Sequence, residues 1–246
     1  MPIFERAGAS IYYEEHGSGF PLLLLAPGGL NSTVPFWERM PLNPISAFSN
    51  EFRVIAMDQR NAGRSSGPLD TRDPWATYAD DQLALLDHLG VHAALAVGCC
   101  IGCSFIFKLV ERQPRRIVAG VLMQPIGHDD TNQGAFGPGM WTPWGENLIG
   151  TRPDLSMDTV DAFGHALFDS GFVFSVSRDF LRTISTPMLL LFGDDRAHPR
   201  GISDEVAALL PNAELIERWR DPDVVPDVIE HMRRFLRAHT PASAGT

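Results

Sequence analysis

Apolar residues in this chain fall into short unbroken runs, separated by stretches whose apolar positions recur at helical spacing. Ala9–His16, a Gly17-Ser-Gly19 turn and Pro21–Leu25 read as strand, turn and strand. A continuous run bounded by glycine, such as Pro21–Leu25, fits a strand buried on both faces. Phe52–Met57, Ala94–Val97, Val118–Met123, Pro187–Phe192 and Ala213–Glu217 repeat that signature. Between them the period lengthens. Trp75 to Leu89 sets Trp75, Tyr78, Leu85, Leu86 and Leu89 on one side of a helix and Asp80, Asp81 and Asp87 on the other, and Gly90 ends it. Further helices are predicted over 101–112, where Pro114 stops the helix, and over 203–210 and 224–239.

The alternation breaks after Ile126. As far as Thr151 the chain is rich in Gly, Pro, Asn and Trp, with Pro138, Trp141, Pro143 and Trp144 close together, and it is predicted as irregular. A helix is expected over 158–169, and Phe180–Ile184 closes the insert. Strands alternating with helices imply an α/β fold: a mostly parallel central sheet flanked by helices. Residues 1–125 and 185–246 then form the core domain, and 126–184 a cap. The tail Pro241–Thr246 is expected to be disordered. In such sheets reactive groups gather beyond the carboxyl ends of the strands. Four loops lie there: 27–32, 98–102, 127–130 and 193–199.

Composition narrows the function classes. A formal net charge of −10 argues against nucleic acid and against an anionic membrane surface. The first fifteen residues are too charged for a signal peptide, and the run Leu22–Ala26 is too short to span a bilayer. All three cysteines (Cys99, Cys100, Cys103) lie within five residues, so they cannot staple distant parts of the fold. A reducing cytoplasm is the natural compartment, a small molecule the natural partner, and a homodimer is left open. No paired Cys or Cys-His element completes a metal site, so neither metal nor cofactor is expected.

Gly98-Cys99-Cys100-Ile101-Gly102 ends a strand and enters a helix directly. Small residues at both ends make the corner tight and push Cys100 out at its apex. There a thiol faces a helix N-terminus, which favours thiolate, and the amide of Ile101 points where an oxyanion would form. A phosphate cradle would need a longer glycine loop, usually with a lysine. Gly29, in Gly28-Gly29, allows close approach of a substrate carbonyl.

Leu25-Ala-Pro-Gly-Gly29, Asp58-Gln-Arg-Asn-Ala-Gly-Arg-Ser65, the Cys100 corner and Leu191-Phe-Gly-Asp-Asp195 follow one another in the order seen in α/β-hydrolase-fold enzymes. The Asp58–Ser65 stretch resembles a loop of that superfamily's cofactor-free hydrolases and haloperoxidase-like members. Cysteine at the apex is similar to dienelactone hydrolases. The resemblance implies Cys100 as nucleophile, an oxyanion hole from the amides of Gly29 and Ile101, and an acid at Asp194 or Asp195. It also implies a histidine after Ala213–Glu217, and that slot is empty: Arg218-Trp-Arg-Asp-Pro-Asp223 follows, and His231 lies deep in a helix.

Three arrangements stay open. His198 or His128, each in a converging loop, serves as base, or Cys100 acts without one. A thiol needs a base less than a hydroxyl does. Trp141 and Trp144, with His128, are placed over the substrate pocket. The expected activity is a hydrolase acting on a small ester, thioester, lactone or activated C–C carbonyl. An acyltransferase, lyase or cyclase, or a ligand receptor on the same scaffold, are the alternatives.

Overall fold

In a computed structural model, which describes residues 2–242, the chain forms one eight-stranded sheet. The strands are β1 (Ile3–Arg6), β2 (Ala9–His16), β3 (Pro21–Leu25), β4 (Arg53–Met57), β5 (Ala94–Cys99), β6 (Ile117–Met123), β7 (Met188–Leu191) and β8 (Ala213–Ile216). Their order across the sheet is β1-β2-β4-β3-β5-β6-β7-β8. β1 and β2 run antiparallel to their neighbours, and every pairing from β4 to β8 is parallel. The helices are α1 (Pro44–Phe48), α2 (Pro74–His88), α3 (Ile101–Arg112), α4 (Pro138–Thr151), α5 (Met157–Phe168), α6 (Arg178–Thr183), α7 (Arg200–Leu209) and α8 (Val225–Ala238). This is the α/β architecture the sequence implies. None of the helices is long and apolar enough to cross a membrane among the described residues. The tail expected to be disordered lies, from Ser243 on, outside the described residues.

The unbroken apolar runs are explained by two core layers. Leu23, Leu25, Ile55 and Met57 face α2 and α3, while Leu22, Leu24, Val54 and Ala56 face the side of α1 and α8, with Trp37, Phe48 and Trp219. Alternate residues of one strand thus bury on opposite faces.

Two expectations are corrected. Asp81 does not lie on the solvent side of α2: it is fully buried and accepts from Arg60 Nε at 2.7 Å, Arg60 Nη2 at 2.6 Å and Arg6 Nη1 at 3.1 Å. A carboxylate on a buried face survives because two guanidinium groups from other elements reach it. The Gly/Pro/Trp-rich start of the insert is not irregular throughout, for Pro138–Thr151 is the helix α4. Pro138 stands in its first turn, where a missing N–H costs nothing. Trp141 and Trp144, one turn apart, are its buried stripe. α4 packs on α5 at Gly164, where a Cβ would lie 2.3 Å from the Trp141 ring. The apolar residues of α4 and α5 share one core cluster with α2 and α3.

Candidate active site

The corner between β5 and α3 is built by close packing. A Cβ on Gly98 would lie 2.4 Å from the Gly102 carbonyl oxygen, and one on Gly102 would lie 2.1 Å from that of Leu25. Neither space admits a side chain. Between them Cys100 takes φ 58° and ψ −120°, a conformation L-residues rarely adopt and one that costs about 1–3 kcal/mol. Its amide donates to Met123 O at 2.9 Å, which ties the corner to β6. The other two cysteines are packing residues. Cys99 is buried, and the Cys103 thiol donates towards Gly98 O and Met123 O, each at 3.4 Å.

The backbone N–H groups of Ile101, Gly28 and Gly29 favour the Cys100 thiolate over the thiol. Gly28 and Gly29 have φ of 116° and 59°, a region that favours glycine. The loop is pinned by Ser32 Oγ, which donates to Ala26 O at 2.7 Å, and by Gln59 N, which donates to Ser32 O at 3.0 Å. Burial nonetheless dominates at the sulfur, and the thiol is pushed up to about 11 despite the three amides. The thiolate expected from the helix N-terminus is therefore not the resting form. Desolvation outweighs the local dipoles.

The structure distinguishes the two candidate acids. His198 Nδ1 lies 2.8 Å from Asp195 Oδ1 and 3.0 Å from Oδ2, whereas Asp194 is largely exposed and pairs with Arg220 at 2.9 Å. An ionised carboxylate only accepts, so Nδ1 carries the proton and Nε2 the lone pair. The amides of Ala197 and His198 also donate to Asp195 Oδ1, at 2.9 and 3.0 Å. Burial pushes Asp195 up, but the charge and hydrogen bonds of His198, with Arg220, outweigh it and hold the carboxyl below its usual range. Burial likewise drives His198 below its ordinary value, against the pull of Asp195. Nε2 of His198 is buried and has no hydrogen-bond partner among the described residues, Cys100 included. The charge of Asp195 disfavours the Cys100 thiolate.

The remaining candidates lie in or against the insert. His128 Nε2 donates to Phe168 O at 2.7 Å, and its ring meets the edges of Phe136 and Phe174. Trp141 is fully buried, donates to Asp161 at 2.9 Å and stacks on Phe168. Trp144 Nε1 donates to Asn61 O at 3.2 Å, joining α4 to the loop after β4. Met140 of α4 reaches the Gly28–Gly29 loop, where its methyl would lie 2.6 Å from a Cβ on Gly29. Two residues that the sequence does not single out reach these loops, Met140 at Gly29 and Arg220 at Asp195. Arg220 was legible in principle, since it stands in the empty histidine stretch.

The family signature described as alpha/beta hydrolase fold matches residues 21–159, more than half of the chain. The chain belongs to the α/β-hydrolase-fold family. Carboxylesterase YbfK of Bacillus subtilis (strain 168) is 26% identical over 226 residues, covering 80% of this chain and 73% of its own. Several other relatives match over only 42–47% of their own length. Among solved structures, the meta-cleavage product hydrolase CumD of Pseudomonas fluorescens IP01 superposes with a TM-score of 0.70 at 19% identity, covering 96% of each chain. Est816, described as an N-acyl homoserine lactone degrading enzyme, gives 0.70 at 24%, covering 95% of this chain and 100% of its own. The protein is thus an enzyme of the α/β-hydrolase type.

Proposed function

We propose that this hydrolase uses Cys100 as its nucleophile, with Asp195 and His198 as the base pair and the amides of Gly29 and Ile101 as oxyanion hole. The observation that carries this reading is the strained Cys100 corner at the head of α3, closed by the tight packing of Gly98 and Gly102. Strain of this kind persists where the surrounding structure over-determines it, which is common at reactive positions. Gly28 supplies a further donor beside the pair.

In the proposed reaction the thiol proton passes from Sγ to His198 Nε2, directly or across one water, and the sulfur attacks the carbonyl carbon. The carbonyl oxygen becomes an oxyanion held by the backbone donors. The C–O, C–S or activated C–C bond breaks, and the leaving group takes the proton from Nε2. Water then attacks the thioester, gives its proton to Nε2 and restores the thiol as the acid departs. No cofactor enters these steps.

The substrate class is a small ester, thioester, lactone or activated C–C carbonyl. The lactone and meta-cleavage activities of Est816 and CumD support that range. The insert acts as a lid, with Met140 above the oxyanion loop, and Trp141, Trp144 and His128 hold it in shape. Three free thiols within five residues favour action in the cytoplasm.

The test is turnover of a panel of acyl esters and lactones, with intact-protein mass spectrometry of the quenched enzyme. The expected results are an acyl adduct on Cys100 and loss of turnover in Cys100→Ala. Full turnover by Cys100→Ala would refute the reading. Added amine and alcohol acceptors should leave the free acid as the main product; transfer to them without hydrolysis would mean an acyltransferase.

A further inference from the structure

Arg220 reaches the acid loop from the stretch after β8 and takes no part in the proposed proton transfers. Its Nη1 lies 2.9 Å from Asp194 Oδ1 and 3.2 Å from Asp195 Oδ2. The other oxygen of Asp195 makes the shorter contact with His198 Nδ1, so one carboxylate bridges a guanidinium and an imidazole. The arm that carries Arg220 is anchored close by. Its neighbour Trp219 is buried and donates to Phe192 O at 2.7 Å, at the end of the strand whose loop bears Asp195 and His198. The Arg220 guanidinium carbon lies 5.3 Å from that indole ring.

We propose that Arg220 is a positioning residue: it occupies the place that the fold otherwise gives to a histidine, and holds Asp195 in register with His198. The proposal rests on the reading of His198 as base for Cys100. A carboxylate has free rotation about its last bond, and two cationic or donor groups on opposite oxygens remove it. Nε and Nη2 of Arg220 are buried without partners among the described residues, so Nη1 alone binds the two carboxylates. The side chain is there for its charge and reach rather than for a bidentate fork.

The charged groups facing His198 are Asp195 and Asp194 on its own loop and Arg220 across from them. Arg200 turns away, onto the Phe192 ring and Asp204, and Asp129 reaches the head of α7 at Gly201. Arg220 is thus the cation that opposes protonation of His198. Removing it raises the pKa of His198 and moves the acid limb of activity to higher pH.

The experiment titrates the histidine ring signals by NMR in the wild type, Arg220→Met and Arg220→Lys, assigning His198 with His198→Gln, and measures kcat and KM against pH in the same proteins. Arg220→Met should titrate His198 at higher pH and lower kcat about tenfold to a hundredfold with KM unchanged. Arg220→Lys should recover most of both. An unchanged His198 titration in Arg220→Met, or a rise in KM alone, would overturn the proposal. If thermal melting shows Arg220→Met unfolded, Arg220→Gln makes the same comparison. The titration is repeated in Cys100→Ser, because it reads the Arg220–Asp195–His198 linkage without turnover. A shifted titration with an unmoved acid limb supports the clamp and sinks only the role of His198 as base.

Discussion

Opposing influences meet at the Cys100 sulfur, and their balance sets what the residue can do. Burial destabilises the thiolate, and the N–H groups of Ile101, Gly28 and Gly29 favour it, yet the thiol is left at about 11. At pH 7 only on the order of one thiol in ten thousand is then ionised. So little resting thiolate raises the importance of a base. His198, held below its usual 6.5 by burial, is neutral and ready to accept a proton at neutral pH. Two pH curves should therefore separate. Alkylation of Cys100 by iodoacetamide, followed by mass, should climb about tenfold per pH unit between roughly 7 and 10. Ester turnover should stay flat across that range and fall only below about pH 6.5. An alkylation rate already on a plateau at pH 7 would show a thiolate at rest and contradict the buried-thiol picture.

Among elements, α4 and α5 are coupled by a contact that no periodicity announces. Gly164 faces the Trp141 ring so closely that a Cβ would lie 2.3 Å from it. Gly164→Ala should force Trp141 from its place between Asp161 and Phe168 and destabilise the protein by about 1–3 kcal/mol. Urea unfolding followed by tryptophan fluorescence reads both effects, and an unaltered midpoint would show that the helices part freely. The contact also shows where the sequence stops being informative. Strands such as Pro21–Leu25 are legible because both faces are buried, so every residue is apolar. The corner at Cys100 is legible because its glycines answer to local backbone crowding. α4 is not, since its helix rests on Trp141 and Trp144 finding partners distant in sequence, while Pro143 and its glycines oppose helix locally. At the site, Asp195 and His198 are legible as candidates from their loop. The preference of His198 for Asp195 over Asp194, and the reach of Arg220, depend on side-chain direction in two loops.

For the molecule as a whole, one buried ionic cluster ties together segments far apart in the chain. Asp81 of α2 holds Arg60, from the loop after β4, and Arg6, at the end of β1. The same loop begins with Asp58, which accepts from Val34 N at 2.7 Å and from Arg64 N and Nε at 3.0 Å each. Beside it Gln59 N holds the Gly28–Gly29 turn through Ser32 O. The pair of Asp81 and Arg60 is costly to break because either charge, left alone, is held away from water. Asp81→Asn should lower the unfolding free energy by about 3–5 kcal/mol, read as a shift of the urea midpoint. Replacing Arg60 and Asp81 together by Met and Leu should cost less than Asp81→Asn alone, since no buried charge is then stranded between them. If the double replacement cost the sum of the two single changes, the cluster would be acting as independent contacts.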